Sequence, residues 1–527
     1  MVPPRIRCES KVNVAPKVRV SLTSRALATI IAVVTASGAV TSAATAGPPP
    51  PSWAFPNGNL ANTRVNTGST ISMKNVSSLK EVWSFKLTGK AAKSLSHLGS
   101  LAETPIVVDN VVYVQDLRSD VYALSLTNGS LLWKYTVNKP EKSGPGPNGV
   151  AVADHVVYGL TPTAAFALNA ANGHPLWVNK TILKRGQGTF GMQPQVANGR
   201  VYLASQYGSG PGGGVLFALN AASGQVLWKF NTVLHTSLGV TSLGLGAGGA
   251  WETPLVGADG SVTFGIGNPY QTLSSAIKHP AKLLYTDSEV NLDAATGKLR
   301  WYYQAVPNDF KDFDMQASPI ATTVNGRPAI IGGGKMGIVY AMSASNGSLI
   351  WKTPVGEHNG HDDDSLNLLE HRGTLKVPFS YEPGSLGGIL TNMAVADSSV
   401  YVATVDLKLQ FTNVDQVNGV VPKKVVETGE IEALNLNTGN VEWDTKVSDL
   451  PLGATTVAND LVFTTLYNGD LIALDRATGA VVYRSKLPAS TNAALAIAGN
   501  TIIIPAGAPE TKSKAAMIPQ VVAYRLG

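Results

Sequence analysis

The chain has 527 residues, only 14% of them charged, with a formal net charge of +6 and a single cysteine. One cysteine excludes a disulfide-stapled scaffold, a CxxC redox pair, a Cys-ligated zinc site and a CxxCH haem attachment. The length gives ample room for a large core, and 53 glycines with 31 prolines call for many turns.

Residues 1–25 carry Arg5, Arg7, Lys11, Lys17, Arg19 and Arg25 against one acid, Glu9. An apolar run from Ala26 to Val40 follows, then small residues ending Ala44-Thr45-Ala46-Gly47. A basic segment, a short apolar run and an A-x-A site read as an export signal over 1–46. Ala, Thr, Ser and Gly dilute the apolar run, which favours cleavage over retention as a signal anchor. The expected location is secreted or extracytoplasmic, with no stable membrane span after cleavage. Loss of this segment removes six bases, one acid and Cys8, and leaves 35 bases against 34 acids. A chain so near neutrality, with no basic run, has no electrostatic footing for nucleic acid. Residues 47–75 read as a spacer and lead-in.

From residue 76 onward one pattern recurs. A strand ending in Ala-Leu or similar meets a turn with Asn-Gly, Ser-Gly or Thr-Gly, then a strand carrying Trp. It runs VYALSLTNGSLLW (Val121–Trp133), AFALNAANGHPLW (Ala165–Trp177), LFALNAASGQVLW (Leu216–Trp228) and VNLDAATGKLRW (Val290–Trp301). It continues as VYAMSASNGSLIW (Val339–Trp351), EALNLNTGNVEW (Glu432–Trp443) and LIALDRATGAVVY (Leu471–Tyr483). Alternating apolar residues give half-buried strands, the glycine supplies the positive φ of a tight hairpin, and the indole packs one sheet on the next. A shorter strand pair precedes each motif, so each unit has four strands, a propeller blade. Trp83 has an outer strand with no Ala-Leu strand before it, and VVAYRL (Val521–Leu526) has the inner partner with no Trp strand after it. Together they complete one blade. The prediction is an all-β, eight-bladed β-propeller over 76–527, closed by its N- and C-terminal strands.

Two units are overlong, Trp228–Trp301 and Trp351–Trp443, and such insertions usually map to the binding face. The chemistry-bearing stretches lie in or beside them: GAWETPLVGADGSVTFGIGNPY (Gly249–Tyr270), LYTDS (Leu284–Ser288), WYYQAVPNDFKDFDMQASP (Trp301–Pro319) and GGGKMGIVYAM (Gly332–Met342). Asp309, Asp312 and Asp314 fall within six residues, a costly concentration of like charge unless a cation or base chemistry uses it. A strand there would point Asp312 and Asp314 the same way.

In this order, the GIGNP, LYTDS, YYQ-x-VPND-x-x-DFD and GGKMG stretches resemble the quinoprotein dehydrogenases, eight-bladed propellers that carry pyrroloquinoline quinone (PQQ) on their axis. The resemblance covers most of residues 50–527. It implies that Trp251, off the repeat register, forms the floor under the quinone, and that Asn268 is an amide ligand of the metal. It implies that Asp312 is the catalytic base and touches the metal. Asp314 matches an additional carboxylate of lanthanide-using and of glucose-type members, and so does not name the metal. Lys335 matches the basic side chain beside the reactive carbon of the quinone. Glu103 and Asn392 match positions near the cofactor. The implied activity is oxidation of a small alcohol or sugar with PQQ and calcium, or a lanthanide. Without a haem motif, electrons would leave to a separate acceptor.

The chain departs from the family where a metal-ligating Glu is expected. Residues 204–214 hold no acid, only Gln206 and Ser209 as substitutes. That departure motivates the alternative of a non-catalytic extracytoplasmic propeller acting as a binding or scaffold module; glycan or polymer binding through the insertions is a third reading. The run EHNGHDDD (Glu357–Asp364) could ligate a divalent metal, but reads first as a solvated acidic loop.

Overall fold

The computed structural model describes residues 52–527 other than 90–98, 138–148, 207, 209–212, 235–246, 425 and 508–517. The expected export signal and Ser209 lie outside these residues. Each Ala-Leu strand pairs antiparallel with the Trp strand after it, as in Ala123 opposite Trp133 and Ala218 opposite Trp228, and each hairpin carries one register shift just past that pair. The same geometry joins the two ends of the chain. Leu79–Lys86 pairs with Gln520–Leu526, placing Ala523 opposite Trp83.

Eight four-stranded antiparallel blades result, over 106–135, 151–179, 195–231, 255–304, 320–354, 394–447, 456–486 and, for the eighth, 496–526 with 79–86. The innermost strand of the first, Ile106–Val108, lies beside those of the second and the eighth, Ala151–Ala153 and Ala496–Ala498. The expected all-β, eight-bladed propeller with terminal closure is therefore the observed fold.

The blades are clasped to one another by the repeated Trp and Gly. Indole N–H groups of Trp83, Trp133, Trp177, Trp228, Trp301, Trp351 and Trp443 each donate to a carbonyl of the next blade at 2.8–3.0 Å. The ring lies flat on the hairpin glycine of that blade. A Cβ there would stand 2.5–2.8 Å from the indole, at Gly129, Gly173, Gly224, Gly297, Gly347, Gly439 and Gly479. The last interface has no such hairpin, and Tyr483 instead donates its hydroxyl to the Leu79 carbonyl at 3.1 Å.

The stretch expected to be a lead-in crosses the axis. Val107 and Trp53 exchange backbone hydrogen bonds, Asn62 donates to the Thr253 and Pro319 carbonyls, and Val65–Asn66 adds a parallel strand to Thr456–Ala458. Arg64 is fully buried and spends its donors on the carbonyls of Thr455 and Leu495 and on Asn57, Thr104 and Thr456. One side chain thus ties the lead-in to the seventh, eighth and first blades. Glu252 faces this knot. Burial pushes its carboxyl up to about 8, against the pull of Asn392 and Arg64.

The two insertions meet. Helix α1 (Leu273–Lys278), capped by Thr272, touches helix α2 (Asp364–His371). Ser274 N–H donates to the Val414 carbonyl at 2.7 Å.

Gly224→Ala must both strain a φ of 69° and drive a methyl into Trp177, whereas Gly326→Ala strains a φ of 73° with nothing within 4 Å. The expected losses are about 2–4 kcal/mol and about 1 kcal/mol, read by denaturant unfolding; equal losses would show that the clasp contributes nothing. Neutral Glu252 stabilises the fold fully below its unfolded pKa of 4.5, and that contribution fades as pH rises through about 8. The thermal midpoint should therefore fall between pH 5 and pH 9, and fall less in Glu252→Gln.

Candidate active site

Residues 309–314 leave the fourth blade as irregular backbone, not the strand expected. Asp309 shapes this turn, its carboxylate accepting from Lys311 N–H at 2.9 Å and Phe313 N–H at 3.0 Å. Asp312 sits at φ 67°, a conformation unusual for a residue with a side chain. That backbone twist, in place of strand alternation, brings Asp312 and Asp314 to one cation. Lys335 Nζ lies 3.0 Å from Asp312 and 2.5 Å from Asp314.

The glycines before Lys335 are required by close approach. A Cβ at Gly334 would fall 1.9 Å from the Asp314 carbonyl oxygen, and Lys335 N–H donates to that same oxygen at 3.0 Å. Asn268 closes the group: its N–H and its side-chain Nδ2 donate to Asp314 at 2.8 and 2.7 Å, and Nδ2 also donates to Asp312. Trp251 lies across Gly267, where a Cβ would meet its indole at 2.8 Å and the Asp314 carboxylate at 2.7 Å.

Trp251, Asn268, Asp312, Asp314 and Lys335 therefore converge on one place, drawn from the fourth and fifth blades and the connection between them. Glu103 and Asn392 stand apart, beside the lead-in. Glu103 accepts from Gln115 N–H at 2.9 Å, and its neighbour Thr104 receives Arg64. Asn392 donates to Asn57 at 3.2 Å and accepts from Ser318 N–H at 2.7 Å. Glu252, next to Trp251 in the chain, faces Asn392.

Burial dominates the electrostatics. It lifts Asp312 to about 7 despite Lys335, and Asp309 to about 6. It holds Asp287 and Glu103 well above the carboxylate range. Burial alone would lower Lys335, but the two carboxylates reverse this and raise it. Asp312 and Asp314 thus share one ammonium, Lys335, because Lys311, the other cation nearby, is paired with Asp364 at 2.8 Å. Among the described residues no three acidic or imidazole side chains close on one point as a ready ligand set; Lys335 and the Asn268 amide stand between the carboxylates. The surplus of negative charge and the unpartnered oxygens of Asp287 fit a cation. The indole of Trp251, packed on Gly267 and only partly buried, fits a flat ring.

Several participants were not singled out from the sequence. Asn418, in the second insertion, donates to Asp312 at 3.2 Å. Lys311 is wholly buried among Phe310, Phe313 and Tyr381, each ring centroid 5.2–5.6 Å from its ammonium. The EHNGHDDD run is exposed or half-exposed throughout, in keeping with the solvated-loop reading, yet several of its side chains are hydrogen-bonded to the site's surroundings. His358 bonds Asp362 and the Gly337 carbonyl, and His361 bonds Asp364 while its backbone oxygen receives Lys311. The second insertion therefore braces both the Lys335 turn and the Asp312 loop. No helix among the described residues is long and apolar enough to cross a membrane.

Residues 53–359 match the family described as glucose/ethanol/alcohol dehydrogenase, β-propeller domain, and residues 427–516 match the model described as outer membrane protein assembly factor BamB. XoxF of Paracoccus denitrificans is 26% identical over 83% of this chain and 83% of its own length. The quinohemoprotein alcohol dehydrogenase of Comamonas testosteroni is 25% identical, over 59% of this chain and 48% of that one. A europium-containing methanol dehydrogenase superposes with a TM-score of 0.74 at 20% identity, covering 90% of this chain and 98% of that structure, which shows the fold. With more than half its length matched to that family, on the same eight clasped blades, the chain belongs to the PQQ-dependent glucose/ethanol/alcohol dehydrogenase β-propellers.

Proposed function

We propose that the protein is an exported dehydrogenase that oxidises a small alcohol or sugar with PQQ and a bound metal, calcium or a lanthanide, and passes the electrons to a separate acceptor. The observation that carries this reading is the convergence of Trp251, Asn268, Asp312, Asp314 and Lys335. PQQ, when bound, supplies the two-electron acceptor, and the metal a Lewis acid.

The chain's residues supply the rest. Trp251 offers an indole face on which a conjugated ring can stack. Asn268, Asp312 and Asp314 would hold the cation. Asp312 takes the substrate hydroxyl proton at a carboxyl oxygen; burial that places it at about 7 makes it a base matched to neutral pH. Lys335 keeps a positive charge at this spot at any physiological pH and stabilises negative charge gained by a bound acceptor. Asn418 fixes one oxygen of Asp312 and so orients the other. Glu103, whose carboxyl burial holds above the usual range while it accepts from the Gln115 and Ala102 N–H groups, and Asn392, an amide, would stand near a bound cofactor on the lead-in side of the axis.

The test is reconstitution of the processed protein with PQQ and calcium or a lanthanide. Dye-linked alcohol or sugar oxidation and a bound-quinone absorbance are expected. Asp312→Asn should lower kcat by about 10²–10⁴-fold while quinone binding persists. A protein that shows neither quinone absorbance nor oxidation would support the binding or scaffold role that the acid-free 204–214 stretch favours.

A further inference from the structure

We propose that Lys311 is a positioning residue for Asp312: with Asp364 it forms a buried latch that fastens the loop carrying this base to the second insertion. The role of Asp312 as base rests on the dehydrogenase reading; the latch itself does not. Residues 309–314 have neither strand nor helix to hold them, and Asp312 stands at φ 67°. Side chains set the shape of this loop instead. Asp309 fixes it from within, through the Lys311 and Phe313 N–H groups. Lys311, directly before Asp312, ties it to a distant part of the chain. Its side chain is 0% exposed, and its Nζ donates to Asp364 Oδ2 at 2.8 Å and to the His361 carbonyl.

A lysine is seldom withdrawn fully from water, and then only with partners for its charge. Here Phe310, Phe313 and Tyr381 surround the ammonium with cation–π contacts besides the carboxylate. Phe310 and Phe313 flank Asp312 in the chain, while Tyr381 belongs to the strand Phe379–Tyr381 of the second insertion, paired with Leu409–Phe411. Phe310 packs on Phe411 at 5.4 Å and Phe313 on Tyr381 at 6.0 Å, ring centroid to ring centroid. The Tyr381 hydroxyl donates to the Asn418 carbonyl at 2.9 Å, and Asn418 in turn reaches Asp312. The Lys311 ammonium thus sits where the insertion meets the loop of the base. The two halves of the latch are not equivalent. Asp364 Oδ2 also takes His361 Nδ1 at 2.8 Å and is 11% exposed, so it keeps a partner without Lys311. Lys311 without Asp364 keeps one carbonyl and three rings, and no ion pair.

Amide hydrogen exchange of the full-length protein, free of metal and cofactor and followed by mass spectrometry, reads the latch. Lys311→Met is expected to speed exchange over 309–314 and 409–420 by about tenfold or more, while blade strands such as Ile338–Ser343 and Leu461–Thr465 keep the parent rate. Lys311→Arg, which keeps a cation among the rings, should stay within about threefold of the parent. Asp364→Asn should loosen these segments more than Lys311→Met does, and the double replacement should return to the Lys311→Met level, because no buried ammonium is then left without its carboxylate. In protein reconstituted with PQQ and calcium and assayed on primary alcohols and aldoses, Lys311→Met should lower kcat by about 10–10²-fold with KM within about threefold. Unchanged exchange over 309–314, or faster exchange in all blades alike, would show an ordinary buried ion pair and overturn the inference. Loosened segments with an unmoved kcat would also overturn it. If the parent oxidises none of these substrates, the dehydrogenase reading fails, and the exchange comparison still decides the latch.

Discussion

Seven of the eight blade interfaces in this ring are held by an indole lying on a glycine that has no side chain to obstruct it. The contact is demanding on both sides. The indole needs a flat landing, and the hairpin needs a positive φ; glycine is the residue that meets both conditions. The pair cannot be exchanged one partner at a time, which is why it recurs so regularly. The site depends on it directly. Trp251 and Asn268 come from the fourth blade and Lys335 from the fifth, and the Trp301 clasp on Gly347 sets how those two blades stand to each other.

The same demand made the architecture legible. A motif that must keep Trp and Gly at a set spacing advertises every blade, and its two incomplete copies announced the closure between Leu79–Lys86 and Gln520–Leu526. Trp251, Asn268, Asp312, Asp314 and Lys335 were legible because the segments that carry them have distinctive local sequence. Asn418 and Lys311 were not, since their meaning arises only once the second insertion has folded over the loop after the fourth blade. Strand alternation gave the right partnership of Asp312 and Asp314 for an incorrect reason: a left-handed residue, not an extended run, turns them together. The 357–364 run read first as a solvated loop, and composition does not show which backbone carbonyls and buried ammonium claim its His and Asp residues.

The electrostatic character of the site follows from burial more than from pairing. In water, solvent would screen carboxylates this close from one another; here they are buried. The lead-in contributes to that isolation. Arg64 and Trp53 hold it against the blades' inner strands.

Closure of the eighth blade has a kinetic consequence. The strand Leu79–Lys86 emerges early in synthesis, yet its partner Gln520–Leu526 is made only after every other blade. Until then the earlier strand presents an unpaired edge, a template for wrong pairing. The longest-range contact in the sequence is also the one that completes the ring, which places the protein among slow-closing topologies. Passage through any compartment boundary would have to precede that last pairing or carry the finished ring intact.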